Sequence, residues 1–153
     1  MATKKIQATF SKPPKKKPPA PTQVYWLDSP VPHDYPSAAN YLSLIADEDT
    51  VQKIVDDLQK APVLYYRAND ILRAATLPLL SMDDTRVKVD LRKMVSGEKL
   101  SPVLIVRGDV LKNYPLTIAD GYHRVCASYH LSEGTYVPAQ VVDFPKKEKV
   151  EGE

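Results

Sequence analysis

"IADGYHRVCASYHL", residues 118–131, decides how the rest of the chain reads. Ile118 and Ala119 close an apolar run, and Asp120-Gly121 is a turn signal. Beyond it Val125, Cys126, Tyr129 and Leu131 supply the apolar positions of a helix. The pattern predicts a strand, a tight turn and a helix that begins at once. Such a helix start leaves backbone N–H groups unpaired, and with the helix dipole these favour an anion. Gly121 would let the backbone approach a ligand closely, and His123 and Arg124 add side-chain donors in the first turn. Basic residues at that end oppose the dipole, so a bound phosphate would account for them.

Two other readings of the same stretch compete. In one, Asp120 caps the helix while His123 and Arg124 face solvent or a nearby acid. In the other, His123, Cys126 and His130, spaced by three and four residues, share a helical face as metal ligands. That set lacks a fourth ligand, since His33 is the one other histidine, and Cys126 reads more simply as a small core residue. A Cys–His nucleophile is disfavoured too, because a helix packed on a sheet keeps substrate away. Asp120 has a further reading as a ligand for a divalent ion that accompanies a nucleotide.

Working outward, "PVLIVRGD" (102–109) has the near-continuous apolar character of a strand buried on both faces. "TYVPAQVV" (135–142) returns as another strand, with Pro138 suggesting an edge or a strand start. Upstream, Val87, Leu91, Met94 and Val95 recur at helical spacing and Gly97 suits a left-handed C-terminal cap. Arg86, Lys88 and Arg92 on that helix are either a solvated face or cations that reach the turn's cleft. "SAANYLSLIA" (37–46) predicts a helix capped by Ser37 with Ala38, Tyr41, Leu42 and Ile45 inward. "DEDTVQKIVDDLQK" (47–60) predicts a second, with acids in its first turn, Lys60 in its last and Pro62 to end it. "VLYY" (63–66) reads as a short strand or extended link. "ANDILRAATL" (68–77) reads as a short helix capped by Asn69 or Asp70.

Composition bounds the class. The chain has 153 residues, 43% hydrophobic and 26% charged, with one cysteine. These values fit a single globular domain in a reducing compartment, with no disulfide framework. No apolar run is long enough to span a bilayer, and the N-terminus lacks a signal-type apolar stretch, so a cytoplasmic location is expected. Residues 1–22 hold six lysines and no acid, leaving 15 basic and 19 acidic groups elsewhere, a net of −4. A mildly acidic body weakens direct nucleic-acid binding and leaves that role to the arm. "SKPPKKKPPAPT" (11–22) cannot build a core and predicts a disordered Lys/Pro-rich arm. Trp26 and Tyr25 are expected to pin the entry segment to the body. The expected organisation is an arm over 1–22, one domain over 23–145 and a charged tail over 146–153. The domain divides into a helical addition (23–77) and a core (78–145).

Residues 83–143 resemble the ParB/sulfiredoxin superfamily: a helix, "LSPVLIV", a turn, "LTIADGYHRVCASYHL" and "TYVPAQVV" in that order. Gly121, His123 and Arg124 fall on the glycine, histidine and arginine of the sulfiredoxin G-C-H-R turn. The resemblance implies an α+β fold, a small mixed sheet with packed helices, carrying an N-terminal helical addition. It also implies a nucleotide phosphate, of ATP or CTP type and with magnesium, held by Asp120, Gly121, Tyr122, His123 and Arg124. The resemblance leaves open whether hydrolysis or phosphoryl transfer accompanies binding. Tyr122 stands where sulfiredoxins carry the nucleophilic cysteine, so their repair chemistry is not expected. One arginine follows the turn where partition proteins carry two, and no helix-turn-helix region is expected after residue 143. Two alternatives stay open: a DNA-associated protein of partition or nuclease type that uses its basic arm, and a non-catalytic scaffold or accessory protein.

Overall fold

The structure is a computed structural model and describes residues 10–18 and 23–146. It is α+β, with five α-helices and a four-stranded mixed sheet. The strands are β1 (Val63–Arg67), β2 (Val103–Arg107), β3 (Thr117–Asp120) and β4 (Tyr136–Asp143), ordered β1-β4-β2-β3. β4 runs antiparallel to β1 and parallel to β2, and β2 and β3 pair antiparallel. β2 is buried over Val103–Val106, as its continuous apolar run requires.

Helices cover both faces. α3 (Ala68–Ala75), α4 (Thr85–Ser96) and α5 (Tyr122–Leu131) close over one face around Ile71, Val87, Val103, Ile105, Val125 and Val137. α1 (Asp34–Leu42) and α2 (Glu48–Lys60) close over the other, where Leu42, Ile54 and Leu58 meet Leu104 and Val106. The stretch 23–77 therefore contributes an edge strand as well as a helical layer. Buried Gln140 ties that layer down: the Tyr35 hydroxyl donates to its Oε1 at 2.7 Å, and its Nε2 donates to the Ala61 carbonyl at 2.8 Å.

Local signals account for several ends. Asp47 caps α2 by accepting from the Thr50 amide at 2.8 Å, with Glu48 and Asp49 in the first turn. Asp84 caps α4 by accepting from the Arg86 and Val87 amides, and Gly97 ends it at φ 79°. Other expectations are corrected. α1 begins at Asp34, so Ser37 lies inside it rather than capping it, and the helix ends at Leu42. Tyr41 and Ile45 are exposed because the chain leaves the helical path before their stripe is complete. α3 begins at Ala68, without a cap from Asn69 or Asp70. Val95 faces solvent, since α4 buries only the stripe of Val87 and Met94.

Pro138 is neither at an edge nor at a strand start; it is the third residue of a strand paired on both sides. It is tolerated because Tyr65, opposite it, turns its own N–H outward to the Pro14 carbonyl at 2.9 Å. On the other side, the pairing with β2 begins only at Val103–Ala139. The same hydrogen bond lays part of the basic arm against β1. Lys17 donates to the Val24 carbonyl and stands over the Tyr25 ring at 5.8 Å. The rest of the expected disordered arm, residues 1–9 and 19–22, and the tail from 147 lie outside the described residues. Trp26 is the entry anchor, buried and bridged to Leu100, while Tyr25 remains 46% exposed. Among the described residues, no helix is long and apolar enough to cross a membrane.

Candidate functional site

β3 delivers the turn through an irregularity. Leu104 pairs with Asp120 while Ile105 pairs with Ile118, so Ala119 is an extra residue in β3. Residues directly opposite share a face, so the bulge puts Asp120 on the side of Leu104, toward α1. The chain then reverses at Gly121, with φ 106°, and α5 starts at Tyr122. A β-carbon on Gly121 would lie 2.4 Å from Val103 Cγ1 and 2.8 Å from an Arg124 nitrogen. The glycine is thus required by its φ and by the closeness of β2 and Arg124.

Arg124 turns back over this junction. Its Nη2 donates to Asp120 Oδ2 at 2.7 Å, and its Nη1 lies 3.5 Å from Asp34 Oδ2 at the start of α1. Asp34 is buried and also accepts from the Ser101 hydroxyl, whose oxygen receives the Val31 amide at 3.1 Å. The guanidinium is only 15% exposed, and its Nε has no hydrogen-bond partner. Arg124 therefore joins α5, β3 and α1, and is turned away from solvent. Nor does Asp120 cap α5. Its carboxylate is committed to Arg124, and no side chain caps that helix.

The remaining residues surround the same helix start. His123 Nε2 lies 3.9 Å from Asp84 Oδ1, with His123 and Asp84 about one-third exposed. Tyr122 donates its hydroxyl to the Pro78 carbonyl, which pins the loop before α4 onto α5. His130 Nε2 lies 2.6 Å from the Leu80 carbonyl and secures the same loop from the last turn of the helix. Cys126 is fully buried, and burial pushes its thiol above the usual range. His123 faces Asp84 while His130 meets the Leu80 carbonyl, so the three side chains do not converge on one point. No group of three or more His, Cys, Asp or Glu side chains among the described residues is arranged to hold a metal ion.

Four carboxylates stand around α5's first turn: Asp34, Asp84, Asp90 and Asp120. Burial pushes the Asp90 carboxyl upward, against the opposing pull of Arg124, Lys93 and His123. Burial also raises Asp120, with Asp34 adding to the shift and Arg124 opposing it. Arg86, Lys88 and Arg92 are exposed and take part in no ion pair among the described residues, which fits the solvated-face reading. Sequence reasoning did not single out Asp34, Asp84, Asp90 or Ser101. Asp84 carried a usable signal, an aspartate directly before a helical run, whereas Asp34 sits in a proline-rich stretch with none. Comparison with family models, curated proteins and solved structures finds no match to this chain.

Proposed function

We propose that this is a ParB/sulfiredoxin-like domain that binds a nucleotide phosphate at the start of α5, as its magnesium complex. The observation that carries the reading is the uncapped α5 terminus. Asp47 and Asp84 cap α2 and α4, whereas Asp120 is drawn off by Arg124. The first amides of α5 are left to a ligand, and His123 in that turn can add a donor. In this reading Arg124 is a positioning residue that keeps Asp120 away from those amides. The surplus of carboxylates favours a phosphate that brings a divalent cation over a bare one, because Mg²⁺ commonly takes one or two carboxylates plus phosphate oxygens. Tyr122 donates its hydroxyl hydrogen bond to a backbone carbonyl and does not replace a thiolate nucleophile, so sulfiredoxin-type repair is not part of this reading.

A second reading is favoured by the double ion pair of Arg124: an accessory domain in which the Asp34–Arg124–Asp120 cluster only locks three elements together. Titration of the full chain with ATP and CTP, with and without magnesium, separates the two. A magnesium-dependent rise in melting temperature supports nucleotide binding. No rise at millimolar nucleotide leaves the accessory reading in its place. The DNA-associated alternative predicts duplex binding that falls steeply with salt and is lost on removing residues 1–18.

A further inference from the structure

At the opposite end of β2 from Gly121 lies a cavity of about 700 Å³, between α3, the sheet and the β2–β3 hairpin. Its apolar wall includes Ile71, Ile105, Leu116 and Val141, flanked by Tyr66 and Tyr114. That volume is in the range of small-molecule sites. The hairpin wall is built firmly. Asp109 and Tyr114 exchange two backbone hydrogen bonds of 2.9 Å, and Leu116 N–H donates to the Ala74 carbonyl at 3.0 Å. A β-carbon at Gly108 would lie 2.4 Å from the Tyr114 carbonyl oxygen, so the two limbs of the hairpin touch. Among the described residues, the two non-glycine residues with positive φ are Thr76 at 54° and Asn113 at 60°, and both line this cavity. Such backbone is costly, above all for a β-branched threonine, and it concentrates where a shape must be held.

The charges at the rim are already engaged. Arg107 Nε donates to Asp143 at 2.8 Å, Asp70 lies 3.7 Å from Arg73, and Asp109 accepts from the Leu111 amide at 3.0 Å. The Tyr66 hydroxyl and the Asn113 side-chain amide line the cavity without a hydrogen-bond partner among the described residues and remain for a ligand. We infer that this cavity is a second binding site, independent of the Gly121 turn, for a small uncharged and mainly apolar molecule bearing a hydrogen-bonding group.

The full chain would be titrated with N-phenyl-1-naphthylamine, a neutral apolar fluorophore with one N–H. The expected result is a saturable, one-to-one rise in emission that is insensitive to ATP or CTP. Ala74→Trp, an exposed α3 position on the cavity wall, should abolish the rise while leaving the melting temperature close to that of the parent. Tyr66→Phe, which keeps the shape and removes the hydroxyl, should weaken binding several-fold. Leu111 is 93% exposed on the hairpin tip and does not line the cavity, so Leu111→Ser should leave the titration unchanged. A lack of saturation, retention of binding in Ala74→Trp, or loss of binding in Leu111→Ser would each overturn the inference.

Discussion

Arg124 Nη2 lies 2.7 Å from Asp120 Oδ2, so the first turn of α5 is tied to the last residue of the strand that precedes it. Asp34 on the other layer shares the same guanidinium, and all three side chains are less than a quarter exposed. Removing the cation strands two poorly solvated carboxylates. Arg124→Ala is therefore expected to destabilise the fold by about 3 kcal/mol. Arg124→Lys keeps the charge without the fork and should cost less. Urea unfolding of the variants checks this, and a loss below about 1 kcal/mol for the alanine variant would show that the cluster is not a lock.

Gly121→Ala combines a left-handed backbone with a collision against Val103. Each effect alone costs about 1–3 kcal/mol. Val103→Ala in the same chain should relieve the collision but not the φ strain. A double-mutant cycle in equilibrium unfolding should thus give a favourable coupling of at least about 0.5 kcal/mol. Strict additivity would mean that the backbone moves away from β2.

The pH dependence has a definite sign. Asp90 and Asp120 have carboxyl groups raised above their ordinary value, in both cases chiefly by burial. Between the unfolded carboxyl value near 3.9 and the raised folded values, the native state binds more protons than the unfolded state. Stability from these two groups is then fully present below the unfolded value and is lost as pH rises through the folded values. Asp90→Asn should therefore raise the melting temperature at pH 7 and leave it nearly unchanged at pH 3.5. A variant less stable than the parent at pH 7 would contradict the burial argument.

His123→Ala tests the donor assigned to α5's first turn. If a magnesium–nucleotide phosphate sits there, affinity should fall by about 0.5–1.5 kcal/mol, one hydrogen bond. The fold should barely change, since the His123–Asp84 approach is 3.9 Å and partly solvated. Calorimetric titration of parent and variant reads the difference.

Deleting residues 1–18 removes the Pro14 acceptor from Tyr65 and the Lys17 contacts at Val24 and Tyr25. The expected cost is about 0.5–1.5 kcal/mol, the net worth of a hydrogen bond, with the cooperative transition preserved. Loss of folding would show that the segment is part of the core.

Local signals explain what was readable in advance. Asp47 and its acidic neighbours announce α2, and the run 102–107 announces a buried strand. Asp120-Gly121 marks the strand–turn–helix junction, because turn chemistry is written in adjacent residues. What escaped depends on partners far along the chain. The identity of Arg124's second carboxylate, Asp34, follows only once α1 folds across β3. The place of Pro138 in a central strand depends on which neighbours β4 meets, and a proline's own sequence context points the other way. The free terminus of α5 is one of the competing readings of the sequence, and the choice stays open there for the same reason: Asp120 could cap or pair, and the bulge at Ala119 decides between them.

The position of β4 has a consequence for how the molecule is made. It pairs with β1 on one side and β2 on the other, yet it is the last strand to be synthesised. Until residues 136–143 clear the ribosome, no strand joins β1 to the β2–β3 hairpin, and the edges of β1 and β2 that face β4 stay unpaired. Most of the sheet's closure is then long-range and late, which slows folding and exposes strand edges meanwhile. Nascent chains stalled before Tyr136 should be protease-sensitive and held by chaperones, and a few dozen further residues of linker should convert them abruptly to a resistant form.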